Sequence, residues 1–407
     1  MMRSCVALWF SVAIAAAQSQ DKLQQRIAEG QALIAKGDAA GALEAFRAAC
    51  DLAPKSAELH DEVGFLLAVL QRNAEARDRF QKAIALNGDY APARYHLGVV
   101  YCLDSDYTHC IPELQKAVRL DPKSFAYRSH LGDALSAAGR HAEAAKELKA
   151  ATALEPQNAE LWNRLGGAYQ KANDLAQAVD AYRHASQLNP ANLDARNSYG
   201  LMLVETREAD KAIAEFQHVL ETDPGNISAA INIGMAYMLK GDVERAIAQF
   251  RALIAKNPDH PLAHYNLGLA LKNRDDLEQA RAEFEKAIEL DPNVSEAHYA
   301  LGISWWQAGD FDRTIAQMQD AVRLRPDYGE AWFILGTALK QKGSLNEAVS
   351  ALREAVRLRP EDPGPYNTLG QTLRLTGDLE GSKAAFAQGA KVKAAKEAQQ
   401  AEMLKRK

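Results

Sequence analysis

Ten histidines, four cysteines and a set of Gly-Asp pairs are the residues of this chain that could do chemistry. A covalent nucleophile needs a base within hydrogen-bond reach, and a metal needs three or four converging His, Cys or carboxylate ligands. No G-x-S-x-G, no H-E-x-x-H, no Walker loop and no G-x-G-x-x-G after a strand occurs. His96 and His109 lie near Cys102 and Cys110 in sequence, yet that spacing matches no ligand pattern. No catalytic residue, metal or cofactor is therefore expected. The histidines are scattered, which predicts surface or groove placement. Gly37-Asp38, Gly241-Asp242, Gly309-Asp310 and Gly377-Asp378 read as turns and helix caps rather than phosphate loops.

The cysteines are tied to the N-terminus. Met1-Met2-Arg3 carries one positive charge, Ser4 to Ala17 is uncharged and mostly apolar, and Ala15-Ala16-Ala17 precedes Gln18. This order predicts a signal peptide over 1–17, cleaved after Ala17, and a secreted or periplasmic mature chain. An uncleaved anchor is the alternative, although the run is short for a hydrocarbon core of ~30 Å. Cys5 lacks the small residues a lipidation site would place before it. In the oxidising compartment this implies, Cys50, Cys102 and Cys110 remain, so one thiol is left over. Cys102 and Cys110 flank an expected helix-helix turn, where they form either a disulfide or two small packed residues. No later stretch is apolar enough to span a membrane. A net charge of −5 over 407 residues offers no basic field for nucleic acid.

The elements that position all these residues come from a repeat. Glycine recurs every 34 residues at Gly30, Gly64, Gly98, Gly132, Gly166, Gly200, Gly234, Gly268, Gly302, Gly336 and Gly370. Repeats so defined begin at Leu23, Ala57, Ala91, Phe125, Ala159, Leu193, Ile227, Pro261, Ser295, Gly329 and Pro363. Within each, apolar residues at positions 4, 7, 8 and 11 share one helical face, and those at 20, 24 and 27 share another. A Gly or polar residue followed often by Asp separates the two helices. A Pro step such as Asp121-Pro122 or Asn189-Pro190 ends the second. Gly at position 8 opposes a small residue at 20, such as Ala178 or Ala246, which predicts close helix approach. Larger residues at 24 (Phe46, Phe80, Phe250, Phe284) are expected to fill the gap toward the next repeat. Pro112 falls inside a second helix and predicts a kink or loosening there.

Trp162-x2-Leu165-Gly166-x2-Tyr169, then Ala178-x3-Tyr182, Ala185 and Pro190, resembles the tetratricopeptide repeat. The resemblance covers residues 23–396. It implies an all-α fold, a right-handed superhelical solenoid of helix-turn-helix repeats, with a concave groove lined by first helices at positions 5, 9 and 12. Residues 18–22 then form a short linker, and 397–407 a basic tail that extends the capping helix. The tail carries Lys405, Arg406 and Lys407.

Along that groove the chain changes character. Ser129, Asp133, Ser136, Asn163, Gln170 and Asn197 are polar. From the seventh repeat the same positions hold Ile231, Met235, Met238, Tyr265, Leu269, Tyr299, Ile303, Trp306 and Phe333, interrupted by Lys272 and Lys340. Apolar residues on a face that should be wet predict either a partner surface or packing between repeats. Asn232 and Asn266 fall at position 6, where O-linked N-acetylglucosamine transferases carry an asparagine ladder; His96, His130, Arg164 and Ala300 do not match it. The Lys and Asn placement that grips chaperone C-termini is absent. The expected function is a non-catalytic scaffold for a protein or peptide. A substrate-recruiting arm for a separate glycosyltransferase and a structural spacer are the alternatives.

Overall fold

The computed structural model describes residues 2–405 along the backbone, and residues 18–402 with their side chains. The expected signal peptide (1–17) and the final residues of the basic tail, including Lys405, Arg406 and Lys407, lie outside the residues described in full. Two compact units divide the chain, Met1–Thr206 and Arg207–Lys407. The first contains α1 (Met2–Ala35), α2 (Ala39–Leu52), α3 (Ala57–Val69), α4 (Asn73–Leu86), α5 (Ala91–Leu103), α6 (Tyr107–Leu120), α7 (Phe125–Ala137), α8 (His141–Leu154), α9 (Ala159–Lys171), α10 (Leu175–Leu188) and α11 (Leu193–Glu205). The second contains α12 (Ala209–Thr222), α13 (Ile227–Lys240), α14 (Val243–Lys256), α15 (Pro261–Asn273), α16 (Leu277–Leu290), α17 (Ser295–Gln307), α18 (Phe311–Leu324), α19 (Gly329–Gln341), α20 (Leu345–Leu358), α21 (Pro363–Thr376) and α22 (Leu379–Lys405). The described residues form an all-α array of paired helices without strands. Residues 18–22, read from sequence as a linker, lie inside α1, and α22 carries the tail on as one helix.

Many of the helices begin where a short polar side chain takes an orphan backbone N–H, while others, such as α4 after Arg72 and α17 after Val294, start without a side-chain cap. Asn158 accepts from Leu161, Asn192 from Ala195 and Asn226 from Ala229 at first helices. Asp38 accepts from Gly41, Asp242 from Arg245 and Asp310 from Arg313 at second helices. Such a cap is worth about 1 kcal/mol.

The turn between paired helices passes through left-handed backbone at one fixed position, 15. Glycine supplies it at residues 37, 139, 241, 309, 343 and 377. Gln71, Ser105, Asn173, Arg207 and Asp275 hold the same conformation, with φ between 57° and 68°. No atom lies within 4 Å of a Cβ added at those glycines, so the glycine is there for φ rather than for space. Gln71→Gly is therefore expected to stabilise the first unit by about 0.5–1 kcal/mol. A higher urea midpoint checks this, and a lower one would refute it.

Glycine at position 8 does a different job. A Cβ at Gly234 would stand 2.4 Å from Phe250, at Gly268 2.5 Å from Phe284, and at Gly132 2.6 Å from Leu148. The side chain at position 24 thus lies directly over the glycine of its own repeat. The same side chain also meets the next repeat, as expected: the Phe80 and His96 ring centroids are 5.5 Å apart. Phe80, Phe216, Phe250 and Phe284 are fully buried.

Position 4, expected to be apolar, instead carries a hydrogen-bonding side chain, a polar rung that fastens many of the repeats to the turn before them; Ala230 has no donor to do so. Trp162 and Trp332 donate through Nε1 to the carbonyls of Pro156 and Pro326, both at 2.9 Å. Arg94 and Arg128 donate through Nε to Gly88 and Pro122, also at 2.9 Å. His60, His264 and His298 place Nε2 at 3.1, 2.9 and 3.1 Å from the carbonyls of Pro54, Pro258 and Pro292. The second end of the side chain reaches the paired helix: Arg94 to Glu113, Arg128 to Glu147, His264 Nδ1 to Glu283. Three histidines expected at the surface or in the groove are therefore buried structural donors, because position 4 takes any side chain with an N–H at the right reach. Burial holds the His60 imidazole below its ordinary pKa.

Pro112 does not break α6, which stays helical from Tyr107 to Leu120. The proline gives up one ladder bond near the start of the helix. Ile111 and Leu114 on either side are buried in the core. Cys102 and Cys110 form a disulfide across the preceding turn, with Cα atoms 5.3 Å apart, while Cys50 is a free buried thiol.

Candidate partner-binding faces

Contacts between neighbouring first helices define which positions share a face. In the first unit, His96 Nδ1 lies 2.9 Å from Asp61 Oδ1, and Tyr95 Oη 3.2 Å from His130 Nδ1. Arg164 donates to Ser129 Oγ at 2.7 Å and pairs with Asp133. In the second unit, Lys340 Nζ donates to Gln371 Oε1 at 2.6 Å. Positions 5, 6, 9 and 12 are brought together by these bonds, as a shared helical face requires.

The second-unit residues singled out from sequence divide by depth. Ile231 is only 9% exposed and belongs to the core around Phe250 and Phe284. Met238, Tyr265 and Leu269 are half-buried against that core, Tyr299 and Ile303 against the core around Met318, and Phe333 against that around Leu352. Tyr299 packs on Tyr328 with centroids 4.8 Å apart, and Arg325 lies 3.3 Å over the Tyr328 ring. Burial raises the phenols of Tyr265 and Tyr299, and pushes Tyr328 up to about 12, so all three stay neutral at ordinary pH. Trp306 is half-buried edge-on to Phe311. Asn232 and Asn266 are half-buried, and Asn266 Nδ2 donates to the Leu262 carbonyl of its own helix at 2.7 Å. Met235 alone of the set is largely open, at 44%.

Two neighbours that the position rule passed over extend the open part. Leu239 is 41% exposed and Leu262 45%. They stand at positions 13 and 2, just beside the rows that family resemblance points to. The first unit has its own exposed apolar residues, Phe65, Val69 and Leu103, of which Leu103 is 67% exposed. Phe65 sits at position 9 and was legible by the rule used for the later repeats. Beside Leu103, Val99, Cys102, Tyr107, His130 and Ala137 line a cleft of about 300 Å³.

Among the described residues, no cluster of three His, Cys, Asp or Glu side chains could hold a metal, and no helix is long and apolar enough to cross a membrane.

A family described as the cytochrome c-type biogenesis protein H TPR domain matches residues 147–262. A tetratricopeptide repeat family matches 231–295, 267–314 and 299–363. A bacterial transcriptional activator domain family matches 58–201. No curated protein matches the chain. Among solved structures, a tetratricopeptide repeat protein from Parabacteroides merdae superposes with a TM-score of 0.52 at 15% identity, over 61% of this chain and 98% of its own. The Naa15/Naa10 complex bound to HypK-THB gives 0.47 at 15% identity, over 92% of this chain and 64% of that one. MamA from Desulfovibrio magneticus RS-1 gives 0.39 at 22%, over 42% and 97%. The last two superpose too loosely to bear on the fold. With its helices paired at a period of 34 residues, and with tetratricopeptide families matching from 147 to 363, the chain is a tetratricopeptide repeat protein.

Proposed function

We propose that this protein is a non-catalytic scaffold that holds a protein or peptide partner on the first-helix face of its second unit. Tetratricopeptide proteins are in general protein-interaction scaffolds, and no catalytic domain is identified among the matches. The observation that carries the choice of face is the open run of Met235, Leu239 and Leu262 beside the half-buried Tyr265 and Leu269. Met and aromatic residues are the types enriched where proteins meet. Half-burial makes the aromatic row a firm floor, and the open residues are what a partner would cover. The uncharged, apolar run from Ser4 to Ala17 behind Arg3 supports a secreted or periplasmic setting, and a Cys102–Cys110 bridge suits such an oxidising compartment.

A photo-crosslinking amino acid at Met235 tests the face, with the solvent-exposed Arg251 of α14 as the control site. A discrete adduct is expected from position 235 and none from 251. Equal adducts at both positions, or none at 235, would refute the assignment.

A further inference from the structure

From the charges on this same face we infer that the segment it takes is acidic as well as apolar. The inference rests on the reading that the second unit's first-helix face binds a protein. Across the five repeats from Ile227 onward, positions 5, 6, 9, 12 and 13 contain no Asp or Glu. Position 12 runs Met238, Lys272, Trp306, Lys340 and Arg374, so three cations stand in one row, preceded by a thioether and interrupted by an indole. The first unit differs: Asp61, Glu62 and Asp133 occupy the corresponding positions, and two of them are engaged by His96 and Arg164.

The cations of position 12 also differ from others in their own unit. Lys240 pairs with Asp210, Lys342 with Asp312, Arg325 with Glu296 and Arg359 with Asp362. Those pairs use up Glu296 and Asp362, carboxylates close to the face. No carboxylate among the described residues pairs with Lys272, Lys340 or Arg374. Lys340 holds only the neutral Gln371 amide, and Arg374 is exposed. Unpaired cations over an apolar floor steer and orient a segment of opposite charge, and they repel basic segments. The apolar residues of that segment would meet Met235, Leu262 and Trp306, and its carboxylates would meet the row of cations.

The test is a randomised peptide library displayed on phage and selected on the full chain without residues 1–17. Selected peptides are expected to carry Asp or Glu interspersed with apolar residues. Their binding should fall about tenfold or more on a Lys272→Gln, Lys340→Gln, Arg374→Gln variant, and should weaken as salt is raised. The three substitutions keep long polar side chains, and an unchanged helical signal and melting temperature confirm the fold. Neutral or basic peptides that bind the variant as well as the parent, yet lose binding on Met235→Glu, would overturn the acidic inference and leave the face standing. Failure to select any peptide sensitive to Met235→Glu would overturn both.

Discussion

Gly268→Ala should destabilise the second unit by about 1 kcal/mol, although alanine is the better helix former. The new Cβ would stand 2.5 Å from Phe284 Cε1, and Phe284 is fully buried with no room to turn. Overpacking of that kind costs roughly 1–3 kcal/mol, while the helix-propensity gain is about 1 kcal/mol. The effect should be read in the exchange of amides in α15 and α16, because repeat arrays open locally as well as globally. Two comparisons isolate the cause. Gly302→Ala meets the flexible end of Met318 at 2.8 Å, so it should cost much less. In a Phe284→Ala background the collision is gone, and Gly268→Ala should then stabilise by up to about 1 kcal/mol. A loss of equal size in both backgrounds would show that position 8 is not glycine because of the ring at position 24.

Removing the Cys102–Cys110 bridge should cost about 2.5 kcal/mol, from the chain entropy released in an eight-residue loop. Alanine is the right replacement at Cys110, since Ala76, Ala144 and Ala178 occupy the same buried position in neighbouring repeats. The side chain therefore fits, and the loss reports the bond rather than a cavity. Urea unfolding of the first unit should shift to lower concentration in the Cys102→Ala, Cys110→Ala variant. Dithiothreitol should bring the parent to the same midpoint and leave the variant unmoved. Equal midpoints for parent and variant without reductant would contradict a stabilising bridge.

What the sequence made legible was local and repeated. Helix limits follow from Asn, Asp and Ser caps and from Pro steps, and each recurs often enough to average out exceptions. Glycine at position 8 announced tight packing, although not which side chain it accommodates, because direction across a helix pair depends on their crossing. The rung at position 4 stayed hidden because Trp, Arg and His look unrelated until one sees each N–H meet a carbonyl six residues back. Gln71 and Ser105 gave no sign of a left-handed turn, since their types do not demand one. On the candidate face, period showed which residues point one way, but not how far the next repeat covers them. That is why Ile231 lies in the core while Met235, one turn on, lies open. Leu239 and Leu262 were missed because positions 13 and 2 lie outside the rows that the period marks, although both are exposed.

The central claim is that the first-helix face of the second unit is where a partner sits. The most direct measurement is hydrogen exchange of the chain without residues 1–17, with and without the partner recovered through Met235. Slowed exchange in α13 and α15, with α14 and α16 unchanged, is the result expected. Protection confined to α14 and α16, or to the first unit around Leu103, would contradict it.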